Sequence, residues 1–301
     1  MKIAISGSKG FIGSALSAAL KEKGHTIIPI IRPVSRGAKG TESPERVVYD
    51  PVRGTIDHQA FSGVDAVIHL AGESIAGFWT GAKRRRLYHS RIDSTRLIAR
   101  AIVSAQRKPS ILITASAIGF YGSKDMPVTE NNSAGNSFLA RLCVGWEAAG
   151  QPVTQAGVRT VQIRLGMVLS PKGGSLKAML PAFRMGLGAE LGDGRQLWSW
   201  ISLEDAVRGI QWIIEKPELS GPVNFTSPNP VSNREFTRVL AKACGHRAWL
   251  RLPDWFLRMV LDGFARETLL ASTAAVPEKL IRSGFVFGHP TLSEFIATVR
   301  L

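Results

Sequence analysis

The first sixteen residues restrict the fold more than any other stretch. Met1-Lys2-Ile3-Ala4-Ile5-Ser6 is an apolar run that breaks into a loop with glycines at 7, 10 and 13, and an Ala/Leu-rich helical pattern follows at once. A short apolar run reads as a buried parallel strand, so the segment predicts one strand-turn-helix unit. The glycines let the backbone turn tightly and let an anion approach the helix N-terminus, where unpaired N–H groups and the dipole favour negative charge. Three glycines alone are a weak signal, but between a strand and a helix they predict a dinucleotide pyrophosphate over Gly7, Ser8, Lys9, Gly10, Phe11, Ile12 and Gly13.

The same alternation recurs. Apolar runs at Ile3–Ile5, Thr26–Ile31, Ala66–Leu70, Ile111–Thr114 and Val161–Leu165 alternate with helical patterns at Ile12–Lys23, Ala82–Gln106 and Ser137–Ala149. This predicts an α/β fold, a Rossmann-type doubly wound parallel sheet with right-handed crossovers. A strand at Pro222–Phe225 is expected to complete it. Glycines at 173, 174, 186, 188, 192 and 194 punctuate the segment after Ser170, which reads as loops around a pocket. Helical patterns at Asn233–Cys244, Pro253–Phe264 and Pro277–Ser283 suggest a smaller, mainly helical C-terminal lobe. The expected division is 1–168 with about 196–227 as the dinucleotide-binding domain, and 169–195 with 228–301 as the substrate lobe.

At 301 residues and 45% hydrophobic, the chain can bury a large core. It lacks an apolar run of the roughly 18 to 20 residues that span a bilayer, and its N-terminus lacks a cleavage pattern, so a cytoplasmic protein without membrane contact is expected. Cys143 and Cys244 sit in apolar, helix-like surroundings with no metal-ligand spacing, and read as core thiols. The formal charge of +15 attracts anions generally. Lys83-Arg84-Arg85-Arg86, with Arg91, Arg96 and Arg100, reads as a solvated basic face. No aromatic platform accompanies it, which argues against nucleic acid.

The second predicted strand ends Ile30-Ile31-Arg32-Pro33, a cation where an NAD-selective site presents a carboxylate to the ribose 2′-hydroxyl. A guanidinium there can bind a 2′-phosphate, so NADP(H) is favoured over NAD, with Lys9 and Arg36 adding positive potential. Small residues in His69-Leu70-Ala71-Gly72 permit close approach of a ligand, and His69 itself reads as structural. Ser202 reads as an N-cap and Asp205 as a first-turn acid of the helix that follows.

Taken together, the glycine loop, His69-Leu70-Ala71-Gly72 and Ser116-Ala117-Ile118-Gly119-Phe120-Tyr121-Gly122 resemble the extended branch of the short-chain dehydrogenase/reductase superfamily. The likeness is closer to its atypical "epimerase family protein" subgroup, NADP-binding proteins resembling sugar-nucleotide epimerases, and covers nearly the whole chain. Its marks include Ala71-Gly72-Glu73-Ser74-Ile75, Trp146-Glu147, Val168-Leu169-Ser170-Pro171-Lys172-Gly173-Gly174 and Leu191-Gly192-Asp193-Gly194-Arg195-Gln196. The tail from Leu252 resembles that subgroup's C-terminal domain of unknown function. The resemblance implies that Arg32, Leu70, Ala71, Arg91 and Val168 join the glycine loop and Gly72 as cofactor contacts.

Superfamily catalysis rests on a Tyr-x-x-x-Lys pair on one helix and a Ser or Thr after the preceding strand. Here those positions read Ser137, Arg141 and Ala117, with Ser116 one residue early. Arg141 can hold the nicotinamide ribose but stays charged and cannot relay a proton. General acid–base assistance is worth ~10²–10⁴-fold, so the change is consequential. Tyr121 as acid and Ser116 as substrate-orienting hydroxyl are the compensating candidates. Glu147 reads as a helix-surface or ion-pair residue, and Phe183, Arg195, Trp198 and Trp200 either line a pocket or anchor a core. Two functions remain open. One is an atypical NADP(H)-dependent oxidoreductase or epimerase acting on a small carbonyl or alcohol, a nucleotide sugar being one form, as monomer or homodimer; the other is a non-catalytic NADPH sensor.

Overall fold

Each apolar run of the N-terminal half becomes a strand. The computed structural model describes residues 1–33, 46–124 and 126–299. The strands are β1 (Lys2–Ser6), β2 (Thr26–Ile31), β3 (Val47–Asp50), β4 (Thr55–Ile56), β5 (Ala66–His69), β6 (Ile111–Ala117) and β7 (Arg159–Leu165). The helices α1 (Phe11–Glu22), α2 (Gly81–Tyr88), α3 (Ser94–Ser104) and α4 (Phe138–Ala149) lie between them in the chain. Contact density divides the chain into two compact units, residues 1–74, 82–116 and 144–163 in the first, and 75–81, 117–143 and 164–301 in the second. Compactness thus groups 75–81, 117–143, 164–168 and 196–227, expected with the N-terminal domain, with the C-terminal part.

In the first unit the strands run in the order β7-β6-β5-β1-β2-β3-β4. β1 pairs in parallel with β2 and β5, and Ser6 lies opposite both Ile30 and His69. His69 in turn lies opposite Thr114. The carboxyl ends of these strands therefore form one edge, the place where open α/β sheets bind ligands. Burial on both faces explains the unbroken apolar runs, with Ile3, Ala4 and Ile5 all fully buried. One cluster joins Ala4, Ile28, Val67 and Leu112 of the sheet to Leu97, Ile98 and Ile102 of α3. Burying one such isoleucine or leucine stabilises the fold by roughly 1.5–3 kcal/mol.

Two differences from the sequence reading stand out. β3 and β4 escape it because four and two residues are too short to show a period. The single helix expected over Ala82–Gln106 is instead α2, a π-turn at His89–Asp93 and then α3. Side chains compete for the carbonyls at that turn, for Ser94 Oγ donates to Ser90 O at 2.8 Å and Thr95 Oγ1 to Arg91 O at 2.6 Å. Nor is the basic run wholly solvated. Lys83 is buried and its Nζ donates to Glu73 at 2.9 Å, so that the ammonium holds the Glu73 carboxyl below its ordinary range.

The second unit has its own core, in which Leu176, Leu180, Phe183, Trp200, Phe236, Leu240 and Phe295 cluster. The expected strand is present as Gly221–Phe225. The helices expected at the C-terminus appear as Asn233–Ala243, Asp254–Phe264 and Glu278–Arg282. Ser202 caps its helix by accepting from Asp205 N. Asp205 does more than face a helix dipole, because it is buried and accepts from Gly288 N, His289 N and Arg208 Nη1. Among the described residues no helix is long and apolar enough to cross a membrane, and no group of three or more His, Cys, Asp or Glu could hold a metal.

Candidate active site

The glycine loop of the first unit is shaped by close approach. Gly7 has φ +70°, and a Cβ there would lie 3.0 Å from Ala71 N. Gly10 N donates to Gly7 O at 2.8 Å, and a Cβ on Gly13 would stand 2.1 Å from that same carbonyl. The first turn of α1 is thereby pressed onto the loop, and the loop onto Leu70-Ala71. Gly10 offers no side-chain cap, and the first turn of α1 carries no acid. The N–H groups at that helix end are therefore suited to an external anion. Lys9 and Gly10 are exposed, with Ser8, Phe11 and Ile12 partly so.

A buried relay holds the neighbouring turn. Ser6 Oγ accepts from Leu70 N and Ala71 N at 3.1 and 3.2 Å, so its one hydrogen goes to His69 Nδ1. The His69 proton is then on Nε2, which donates to Ser94 Oγ at 2.9 Å, and Ser94 donates onward to Ser90 O. Full burial drives the His69 pKa down to about 4, so the ring is neutral and structural. Ser6 and Ser94 were not singled out from sequence, because nothing local marks a serine whose partners lie 63 and 25 residues away.

Arg91 stands on the π-turn, its guanidinium 3.6–3.7 Å from where a Gly72 Cβ would be and 5.0 Å from the Trp146 ring centroid. It belongs to the same local cluster as Leu70, Ala71 and Gly72. Arg32 follows β2 and is exposed beside Tyr49. Burial raises the Tyr49 pKa, while the Arg32 charge and hydrogen bond pull it back. Arg36 lies outside the described residues.

The catalytic candidates part company. Ser116 is buried near the carboxyl edge of β6, and its Oγ donates to Glu147 Oε1 at 2.7 Å within the first unit. Glu147 is therefore a partner of Ser116 rather than a surface residue. Tyr121, in the second unit, is fully buried, donates to Asn224 Oδ1 at 2.8 Å and accepts from Arg164 Nη1 at 2.9 Å. Burial pushes its pKa up, against the pull of Arg164. A phenol whose hydrogen and lone pair are both engaged inside a core is a structural group, which corrects the reading of Tyr121 as a proton donor.

Further expectations divide in the second unit. Ser137 caps α4, accepting from Ala140 N at 3.1 Å, and the Glu267 carboxylate accepts from Phe138 N and Leu139 N. Arg141 is exposed and donates to Asn136 O, while Val168 is half-buried in a strand paired with Ile201. Phe183 and Trp200 are core anchors and Trp198 packs against the same cluster, which decides between the two readings for these three; Arg195 is exposed.

A family model described as "NAD dependent epimerase/dehydratase family" matches residues 3–225. The chain belongs to that family. A second model, a domain of unknown function (DUF1731), matches residues 252–299, where the tail had suggested one. The epimerase family protein Mb2239 of Mycobacterium bovis is 46% identical over 99% of this chain and 98% of its own length. Epimerase family protein YfhF of Bacillus subtilis is 36% identical over 97% and 95%. Among solved structures, human epimerase family protein SDR39U1 with NADPH is 27% identical, covers 98% of each chain and superposes with a TM-score of 0.87. Family and Rossmann-type fold thus agree with the resemblance drawn from the motifs.

Proposed function

We propose that the first unit binds NADP(H) and that the protein is an atypical oxidoreductase or epimerase of its family, acting on a small carbonyl or alcohol. The observation that carries the cofactor assignment is the loop in which a Cβ at Gly7 or Gly13 would strike backbone, beside a helix end without cap or acid. The solved human relative with NADPH supports it. Gly7, Gly10 and Gly13 would receive the pyrophosphate, and Arg32 a 2′-phosphate. Leu70, Ala71, Gly72 and Arg91 would border the ribose. When bound, the nicotinamide supplies or accepts a hydride.

The chain's own share is proton handling. Ser116, hydrogen-bonded to Glu147 in the unit that holds the glycine loop, would carry the proton. The Glu147 carboxylate, which holds the Ser116 hydroxyl, would accept through it the proton that a substrate alcohol loses on oxidation and return it in the reverse direction. The test supplies NADPH deuterated at the transferable 4-position together with a metabolite extract. An enzyme-dependent deuterated product is expected, with its yield reduced ~10²-fold or more in Glu147→Gln. Confirmed cofactor binding without any transfer of label would refute the catalytic reading.

One observation favours a second reading, an NADPH sensor acting through a partner. The helix position where the superfamily places tyrosine is a capping serine, and Tyr121 is locked in a core. A sensor must bind its partner differently with and without cofactor, so partner capture insensitive to NADPH would exclude it.

A further inference from the structure

The sheet edge that carries Arg32 holds a second polar group, the phenol of Tyr49. β2 and β3 run parallel with Ile30 opposite Val47 and Ile31 opposite Val48, so the next pair in register is Arg32 and Tyr49. Ile30, Val47 and Tyr49 belong to one buried cluster, and Tyr49 is only 2% exposed. Side chains alternate between the two faces of a strand, so Arg32 leaves its chain on the face of Ile30 and Tyr49 on the face of Val47. The core thus fixes the Tyr49 ring, and the Arg32 guanidinium donates a hydrogen bond to its oxygen. Among the described residues none accepts the hydrogen of that hydroxyl. Burial raises the pKa of the phenol, which keeps that hydrogen in place.

Two donors therefore stand side by side where β2 and β3 end, a phenol O–H and the remaining N–H groups of a guanidinium. A group that only accepts hydrogen bonds fits both, and the oxygens of a phosphate monoester are such acceptors. A ribose 2′-hydroxyl fits less well, because it also has a hydrogen to give. The carboxylate next in sequence, Asp50, lies on the opposite face of β3 and is engaged by Val52 N, Arg53 N and the Arg53 side chain. We propose that Tyr49 binds the 2′-phosphate of NADPH together with Arg32, holding the guanidinium in place and donating its own hydroxyl hydrogen to the same phosphate. The inference rests on the reading of the first unit as an NADP(H) site and adds a residue that sets its selectivity. An exposed arginine gives up rotamer freedom when it grips an anion, and one already held by a fixed phenol gives up less. The phenol thus prepares the cation for the phosphate as well as meeting it.

Fluorescence titration of the full chain with NADPH and with NADH tests it, in wild type, Tyr49→Phe, Arg32→Gln and the double variant. Tyr49→Phe keeps the ring in the core, so the fold and its thermal midpoint should hold. It should weaken NADPH by about tenfold and leave NADH within about twofold. In the Arg32→Gln background the same change should cost NADPH less, because the phenol acts partly through the guanidinium. Equal weakening of both cofactors by Tyr49→Phe would overturn the proposal by showing a merely structural role, and an equal cost with and without Arg32 would overturn it by showing that the two groups act independently. The two levels of the argument fail differently. If wild type does not prefer NADPH, or keeps its preference in Arg32→Gln, the 2′-phosphate reading falls and Tyr49 with it. If the preference is lost in Arg32→Gln but intact in Tyr49→Phe, that reading stands and the role of Tyr49 alone is refuted.

Discussion

Buried between two serines, His69 shows how one side chain ties the cofactor turn to the stability of the fold. Its folded pKa of about 4 lies below the ordinary value of 6.5. Below pH 6.5 the unfolded chain takes up a proton that the folded chain refuses, so stability falls as pH drops from about 6.5 to 4 and the loss then levels off. The full shift corresponds to roughly 3 kcal/mol. Urea unfolding of wild type and His69→Gln across that window should show a steeper acid loss in wild type; parallel curves would mean the ring is not held neutral. Arg32 makes a different prediction, because its exposed guanidinium is legible as a strand-end cation in the sequence alone. Arg32→Asp should weaken NADPH binding by about tenfold or more while sparing NADH, as loss of a charge-assisted phosphate contact requires. Equal losses for both cofactors would show that the 2′-phosphate lies elsewhere. Tyr121 carries the opposite lesson. Its place near the carboxyl edge of a strand made it a chemical candidate, whereas Asn224 and Arg164, 103 and 43 residues away, engage its hydroxyl in a core.

Strand, loop and helix succeed one another at the N-terminus through packing that tolerates no added carbon. A methyl at Gly13 would sit 2.1 Å from Gly7 O, a backbone atom that cannot swing aside as a flexible side chain would. Gly13→Ala should therefore cost roughly 1–3 kcal/mol and abolish cofactor binding, because the loop must shift off the first turn of α1. Thermal unfolding together with NADPH fluorescence titration measures both, and an unperturbed variant would show that α1 is not pressed against the loop. The long helical pattern after Ala82 was legible as helix but not as a broken one. The interruption comes from serine and threonine hydroxyls meeting carbonyls one turn back and from Trp146 Nε1 donating to Thr95 Oγ1, contacts that helical periodicity does not encode. Its result is positional, since the π-turn carries Arg91 to Gly72.

Over the whole molecule, a charge of +15 suits an anionic cofactor. NADPH at about 100-fold above its Kd should stabilise the folded chain by ~3 kcal/mol, raising the thermal midpoint by a few degrees, with NADH at equal concentration doing less. Identical shifts for the two would contradict selection by Arg32. The alternation of apolar runs and helical patterns was enough to predict a parallel sheet with a glycine loop after its first strand, because each strand, turn and helix is specified by neighbours within a few residues. Glycine spacing and the cation after β2 are local in the same sense. The partner of Ser116, the protonated nitrogen of His69 and the core position of Tyr121 are not, since each depends on groups that only folding brings into hydrogen-bond range. Ser116 meets Glu147 across 31 residues and Ser6 meets His69 across 63, distances at which sequence pattern carries no information about which donor faces which acceptor.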